Sequence, residues 1–277
     1  MPDDRPIGVF DSGLGGLTVA RAIMDLLPGE PLVYFADTGR FPYGPRPPEE
    51  VRRFAVENAT YLADRGVKLL VVACNTATAR GLHEVREAVP IPVIGVIEPA
   101  VRAAVTATRS GRIGLIGTVG TVASGAYQRA VQRLDPEGRT EVVAQACPQF
   151  VDFVERGDTT SPELLAVAGG YLALLQRSKI DTLILGCTHY PLLRGAIQHV
   201  MGPEVLLVSS ADETASDVYE SLTSNDLLRT ASAPPEHRFE SSGDPDRFAA
   251  LVTHFLRGGL QEAPRLVLEP TRDSPWS

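Results

Sequence analysis

Cysteine is scarce in this chain, since only Cys74, Cys147 and Cys187 occur among its 277 residues. An odd, small number of cysteines argues against structural disulfides, and the sequence contains no Cys-x-x-Cys pair. Long hydrophobic runs are also missing, because no apolar stretch approaches the roughly 20 residues that a membrane-spanning helix needs. Basic residues are not in excess either, and the net charge of −8 argues against a general nucleic-acid surface. We therefore expect a globular protein with neither a membrane nor a nucleic-acid partner.

The N-terminal segment also lacks a feature, the apolar core of a secretory signal peptide. The stretch MPDDRPIGVFDSG begins with two acidic residues close together, Asp3 and Asp4. We therefore expect a cytoplasmic protein. A hydrophobic content of 44% is ordinary for a globular chain, and the length fits one large domain or two small ones.

Short runs of Val, Ile and Leu alternate with longer amphipathic stretches along the chain. In Glu49–Asp64, for example, apolar residues recur at helical spacing with charged residues opposite. Continuous apolar strands that alternate with helices predict an α/β protein with mainly parallel sheets covered on both faces. The predicted strands are Ile7–Phe10, Leu32–Phe35, Leu69–Val72, Val93–Val96, Ile113–Ile116, Val142–Ala144, Leu183–Leu185 and Leu206–Val208.

A weak internal repeat divides the chain into two similar halves. IGVFDSGLGGLTV begins at Ile7 and IGLIGTVGTVAS begins at Ile113, and each reads as strand, turn and helix. At a similar distance downstream, each half has a strand that ends in a cysteine, Cys74 or Cys187. Ligands of open α/β sheets bind outside the carboxyl ends of the strands. We therefore expect two similar α/β units whose thiols face each other across a cleft.

Several interpretations of the two thiols remain open at this point. Free cysteine commonly fills cores, which is the better interpretation of Cys147 because the sequence AQACPQF gives it no polar partners. Zinc would need three or four ligands, and Cys74, Cys187 and His189 supply three at an unusual spacing. Acid–base chemistry is the alternative that we favour. One thiol would remove a proton from one face of a carbon atom, and the second thiol would deliver a proton to the other face. Together these two steps would invert a stereocentre.

Polar residues next to these strands are the other candidates for the site. FDSGLGG, which contains Asp11 and Ser12, precedes a helix whose N-terminus could receive a carboxylate, although both residues could instead cap that helix. The pairs that follow the cysteines, Asn75-Thr76 and Thr188-His189, could also either cap helices or bind a substrate. Tyr43-Gly44 lies in a stiff loop, PYGPRPP, with exposed backbone N–H groups. No pyridoxal-lysine or metal motif is apparent, so we expect neither a cofactor nor a metal.

Five stretches together resemble the glutamate racemases: GVFDSGLGGLTV, ADTGRFPYGPR, ACNTATA, ACPQFVDFVE and LGCTHYPLL. The resemblance runs from Ile7 to about Arg257. It implies two α/β domains related by pseudo-twofold symmetry, with the active site in the cleft between them. It places residues 1–97 and 210–277 in the first domain and 98–209 in the second, with the chain returning to the first domain at His237–Phe248. It also implies cofactor-independent interconversion of L- and D-glutamate, a role in peptidoglycan synthesis and a homodimer.

The same resemblance assigns roles to individual residues. The catalytic bases would be Cys74 and Cys187, and the groups that assist them would be Asp11, Glu155 and His189. The implied substrate contacts are Asp11, Ser12, Tyr43, Gly44, Asn75, Thr76, Thr188 and His189. Two alternatives remain, namely a racemase of aspartate or another amino acid on the same scaffold, and a non-catalytic module that binds an amino acid in the same cleft.

Overall fold

The computed structural model describes residues 3–244, together with Phe248, Val252 and the backbone of Leu266–Pro270. Its strands follow the sequence prediction closely, because each predicted apolar run lies in a strand except for Val96, which the structure places just before α4 and outside β4. They are β1 (Ile7–Asp11), β2 (Leu32–Ala36), β3 (Leu69–Val72), β4 (Val93–Gly95), β5 (Arg112–Gly117), β6 (Glu141–Ala146), β7 (Thr182–Gly186), β8 (Leu206–Ser209), β9 (His237–Ser241) and β10 (Leu266–Pro270).

Helices connect the strands and cover both faces of the sheets. Amphipathic patterns explain most of them. The stretch predicted from Glu49, for example, forms α2 and buries Val51, Phe54 and Leu62 on its inner face. The helices are α1 (Leu17–Leu26), α2 (Pro48–Asp64), α3 (Asn75–Ala88), α4 (Ile97–Ala107), α5 (Val119–Ser124), α6 (Ala126–Leu134), α7 (Gln149–Glu155), α8 (Pro162–Arg177), α9 (Arg194–Met201) and α10 (Ser210–Ser224).

The strands form two sheets, one of six strands and one of four. The first has the order β10-β9-β2-β1-β3-β4 and the second the order β6-β5-β7-β8. All of the strand pairs described are parallel. The order β2-β1-β3-β4 therefore recurs as β6-β5-β7-β8, which is the equivalence that the sequence repeat predicts. The fold is α/β with two parallel-sheet domains, as expected.

The central strands β1, β2 and β3 of the first sheet each contribute side chains to two hydrophobic cores. In β3, Leu69 and Val71 pack with α1 and α10, whereas Leu70 and Val72 pack with α2 and α3 on the other face. Successive side chains of a strand point to opposite faces, so a strand covered on both sides must be apolar throughout. This double burial explains why the central strands are recognisable in the sequence.

The segment after the second sheet returns to the first. Helix α10 packs against α1, and β9 pairs with β2 through contacts such as Tyr34 with Phe239. The return segment predicted at His237–Phe248 therefore begins with a strand of the first sheet, although its residues 245–247 lie outside the described part of the chain. No helix of the described residues is long and apolar enough to cross a membrane.

Candidate active site

Cys74 lies directly after β3, at the carboxyl end of the first sheet. It is the N-cap of α3, where its sulfur accepts a hydrogen bond from the Ala77 N–H at 3.5 Å, and its thiol reaches the Ser12 hydroxyl at 3.5 Å. Burial, reinforced by the negative charge of Asp11, raises the pKa of Cys74 to about 12 despite these hydrogen bonds. Cys74 is therefore a neutral thiol at neutral pH, suited to donate a proton.

Cys187 occupies the equivalent place after β7 in the second sheet. Its sulfur lies 3.9 Å from Nδ1 of His189, whose Nε2 lies 2.9 Å from the Glu155 carboxylate. Burial acts to lower the pKa of His189, but its hydrogen bonds to Cys187 and Glu155 outweigh burial and raise the pKa to about 10. His189 is therefore an imidazolium at neutral pH, and a cation beside a sulfur favours the thiolate.

Both thiols line one cavity of about 220 Å³ between the two sheets. Cys74 enters it from the first domain and Cys187 from the second, and each is buried to about 95%. The other predicted site residues that line this cavity are Ser12, Tyr43, Gly44, Asn75, Thr76, Thr188 and His189. The structure thus brings together residues from both halves of the repeat, in an enclosed space that contains two groups able to exchange protons.

Asp11 and Glu155 lie outside the lining of this cavity. Asp11, at the end of β1, is fully buried, and its Oδ2 accepts hydrogen bonds from the N–H groups of Gly13 and Gly16 at 3.1 Å. Its Oδ1 has no hydrogen-bond partner among the described residues. Glu155 lies in an adjoining cavity of about 110 Å³ and reaches the site through His189. Both acids therefore contact the site from behind the residues that line it.

The helix-capping interpretations of Ser12, Asn75 and Thr76 are wrong. Helix α1 begins five residues after Ser12, whose hydroxyl faces Cys74 instead. The Asn75 amide donates to the Tyr127 hydroxyl at 2.8 Å, and Thr76 Oγ1 lies 2.9 Å from Thr118 Oγ1. Tyr127 and Thr118 belong to the second domain, so these residues bridge the cleft.

The loop that contains Tyr43 and Gly44 forms one wall of the cavity and is anchored by the buried residue Asp37. The Tyr43 hydroxyl donates to the Asp37 carboxylate, which also accepts from Arg40 Nε at 2.7 Å. The Gly44 carbonyl accepts a hydrogen bond from the Gly120 N–H at 3.0 Å, across the cleft. Because the Tyr43 hydroxyl is occupied by Asp37, this tyrosine contributes shape to the cavity.

A glycine brings the first domain close to Thr188 and His189. A Cβ atom at Gly15 would lie 2.4 Å from Thr188 Oγ1 and 2.6 Å from His189 Nδ1, distances that atoms in a protein do not tolerate. The glycine-rich turn after β1 therefore lets the backbone of one domain approach the catalytic candidates of the other. The Thr18 hydroxyl adds a contact to the Thr188 carbonyl at 3.4 Å.

Several residues of the site were missed in the sequence. Thr118, Val119, Val151 and Asp152 also line the cavity. A signal for Thr118 was available, because it follows β5 in the second copy of the repeat just as Ser12 follows β1 in the first. Asp152 and Val151 come from α7, and no local pattern indicates that this helix faces the cleft.

Cys147 lies apart from the cavity. Its side chain is fully buried in the hydrophobic core of the second domain, and its thiol lies 3.7 Å from the Gln145 carbonyl. All three cysteines are free thiols, each buried. The environment of Cys147 is the one that the core-filling interpretation predicts, whereas Cys74 and Cys187 face polar groups.

Comparison with known proteins relates this geometry to a family. The model of the Asp/Glu/Hydantoin racemase family matches residues 15–218. A glutamate racemase of Mycobacterium ulcerans is 57% identical over 92% of this chain and 93% of its own. A crystal structure of a glutamate racemase from Bacillus anthracis, 42% identical, superposes with a TM-score of 0.88 over 96% of this chain and 97% of its own.

Two further structures bear on the choice of amino acid. A glutamate racemase from Francisella tularensis, solved in complex with D-glutamate, is 35% identical with a TM-score of 0.87 and covers 96% of this chain and 98% of its own. An aspartate racemase homologue from Pyrococcus horikoshii is only 18% identical with a TM-score of 0.56, so it shares the fold alone. From the family match over most of the chain and these relatives, we conclude that the chain belongs to the Asp/Glu/Hydantoin racemase family of isomerases.

Proposed function

We propose that this chain interconverts L- and D-glutamate by a two-base mechanism in which Cys74 and Cys187 act from opposite faces of the α-carbon. One observation carries the proposal: the two thiols stand at equivalent strand ends of two equivalent domains and line the same cavity. A racemase must work in both directions, and a pair of like bases that exchange roles satisfies this requirement.

Unpartnered acceptors in the site support an amino-acid substrate. Asp11 Oδ1 and Asn75 Oδ1 are both buried and have no hydrogen-bond partner among the described residues. A buried acceptor without a donor is costly, so such atoms indicate a missing ligand group. The α-ammonium of an amino acid would satisfy Asn75 Oδ1, which lies in the wall of the cavity, whereas Asp11 lies behind the lining. The hydroxyls of Ser12 and Thr188 also line the cavity and are donors for its carboxylates.

The charges around the thiols support a direction for each step. With L-glutamate, the Cα–H bond breaks and its proton forms an S–H bond on the Cys187 thiolate. The Cys74 thiol then gives its proton to the opposite face of the carbanion, which yields D-glutamate. Oriented N–H and O–H donors stabilise the enolate-like carboxylate while the enclosed cavity excludes water. The starting protonation state returns when Cys187 releases its new proton and Cys74 takes one up, and the imidazolium of His189 beside Cys187 favours the first of these two steps.

The family relationship supports further parts of the proposal. We infer that the enzyme needs neither a metal nor a cofactor, is a cytoplasmic homodimer, and supplies D-glutamate for peptidoglycan synthesis. We also propose domain limits at residues 1–97 with 210–277, and 98–209. The second limit falls between β8 and α10, where the chain leaves the second sheet and packs against the first domain.

Glutamate and aspartate together test the substrate. We expect kcat/KM for racemisation of glutamate to exceed that for aspartate by at least about tenfold, because aspartate lacks a methylene and cannot bring both carboxylates to the same donors. Chiral chromatography of each reaction gives the rates, and the Cys74→Ala variant serves as the blank for uncatalysed racemisation.

Two outcomes of that assay would contradict the proposal. Faster racemisation of aspartate would identify the alternative racemase on this scaffold. Binding of glutamate with no racemisation, and no exchange of its α-proton in D₂O, would identify an amino-acid-binding module.

A further inference from the structure

A single hydroxyl group connects the surroundings of the two thiols. Tyr127, on α6 of the second domain, is fully buried, and its hydroxyl accepts a hydrogen bond from the Asn75 amide at 2.8 Å. Asn75 follows Cys74 directly in the chain. The same hydroxyl lies beside Gly186, the residue before Cys187, since a Cβ atom built at Gly186 would be 3.3 Å from it. Tyr127 does not line the cavity itself.

This hydrogen bond holds the Asn75 amide in place. Asn75 is 2% exposed, and while its NH₂ group donates to Tyr127, its Oδ1 has no partner among the described residues in the wall of the cavity. A hydroxyl both donates and accepts, so Tyr127 would also bond to a flipped amide, and what it fixes is the position of the amide group. The ammonium group of an amino acid requires an acceptor, and it therefore selects the orientation that presents Oδ1 to the cavity.

We propose that Tyr127 is a positioning residue that acts through Asn75, holding its amide group in the wall of the cavity, where the amide oxygen accepts from the α-ammonium of glutamate. The inference rests on the proposed function, since it needs an amino-acid substrate with its ammonium in this cavity. Tyr127 does not touch the substrate, and its effect on catalysis is transmitted by one side chain.

The hydroxyl of Tyr127 is not the main link between the domains. Thr76 bonds to Thr118 and Thr121, and the Gly44 carbonyl bonds to the Gly120 N–H, independently of Tyr127. Burial raises the pKa of Tyr127, so the hydroxyl stays neutral near neutral pH. Its removal should therefore release the Asn75 amide and leave the arrangement of the two domains in place.

A double-mutant cycle between Tyr127→Phe and Asn75→Ala tests the proposal. Tyr127→Phe keeps the buried ring and removes only the hydroxyl. We expect KM for glutamate to rise about tenfold, as for a lost hydrogen bond to a buried amide, with kcat within about twofold because the ammonium contact is the same in ground and transition states. In the Asn75→Ala background, Tyr127→Phe should change KM by less than about twofold.

Tyr61→Phe is the matched control, because that tyrosine donates a hydrogen bond to Glu240 at 2.6 Å outside the cavity. Its kinetics should equal those of the wild type. Equal effects of Tyr127→Phe in both backgrounds would overturn the proposal, as would an unchanged KM in Tyr127→Phe alone. Loss of the folded state of Tyr127→Phe in circular dichroism would also overturn it, because the hydroxyl would then serve stability. A wild-type enzyme that fails to racemise glutamate would instead overturn the proposed function, whatever the variants do.

Discussion

Replacement of either Cys74 or Cys187 by alanine is expected to lower kcat for glutamate racemisation by about 10³-fold or more in both directions. Each turnover needs one sulfur to take a proton and the other to give one, and a positioned proton-transfer group typically contributes 10²–10⁴-fold. Neither thiol has a substitute on its own side, because Asp11 and Glu155 lie behind the residues that line the cavity. Initial rates from L- and from D-glutamate measure the effect.

Cys147→Ala provides the matched control for these variants. It is the same substitution at an equally buried cysteine of the second domain, but in the hydrophobic core instead of the cavity. We expect its kcat to stay within about twofold of the wild type. Near-normal racemisation by Cys74→Ala or Cys187→Ala would contradict the two-base mechanism, and a folded but inactive Cys147→Ala would contradict its assignment to the core.

His189→Gln should produce the second largest loss, about 10²-fold in kcat. The hydrogen bonds of His189 to Cys187 and Glu155 raise its pKa to about 10, so the wild type carries an imidazolium beside the Cys187 sulfur throughout the neutral range. Glutamine keeps a polar side chain at this place but removes the positive charge. The thiolate of Cys187 therefore loses its counter-charge.

The ultraviolet absorbance of the thiolate tests this explanation apart from the rate. Because burial raises the pKa of Cys74 to about 12 and that of Cys147 still further, neither of these two thiols should absorb as thiolate at neutral pH. We expect a thiolate signal in the wild type and in Cys74→Ala. It should be reduced in His189→Gln and absent in Cys187→Ala. His83→Gln changes an exposed histidine and should match the wild type. An unchanged thiolate signal in His189→Gln would show that the imidazolium does not stabilise it.

The fold could be predicted from the sequence because its central strands are buried on both faces. Ile7 and Val9 enter one core and Phe10 the core on the opposite side of β1, so the strand has no polar side chain before Asp11 at its end. The strand β10 was missed since LVLEP is a short edge strand in a segment without a repeating pattern. The predicted strand at His237 came from the family resemblance and not from periodicity.

Most residues of the site were predictable where they follow a strand that is itself recognisable, whereas Tyr43 and Gly44 were predicted from the proline-rich loop and Glu155 from the family resemblance. Cys74 and Cys187 meet this condition, as do their polar neighbours Asn75 and His189. Tyr127 does not, because its importance lies in a contact with Asn75, a residue of the other domain. Sequence spacing carries no information about such a contact, which exists only after the two domains have packed together. The buried anchor Asp37 was also missed although it follows β2, because its contacts with Arg40 and Tyr43 depend on how the next loop folds.

The isotopic content of the product at low conversion tests the central claim most directly. Protiated L-glutamate is racemised in D₂O, and the α-position of both enantiomers is analysed by mass spectrometry after chiral separation. Two thiols on opposite faces predict D-glutamate that carries deuterium from Cys74, alongside unreacted L-glutamate that retains its protium. D-Glutamate that retains the substrate's own α-proton would show that a single base serves both faces, and would contradict the account.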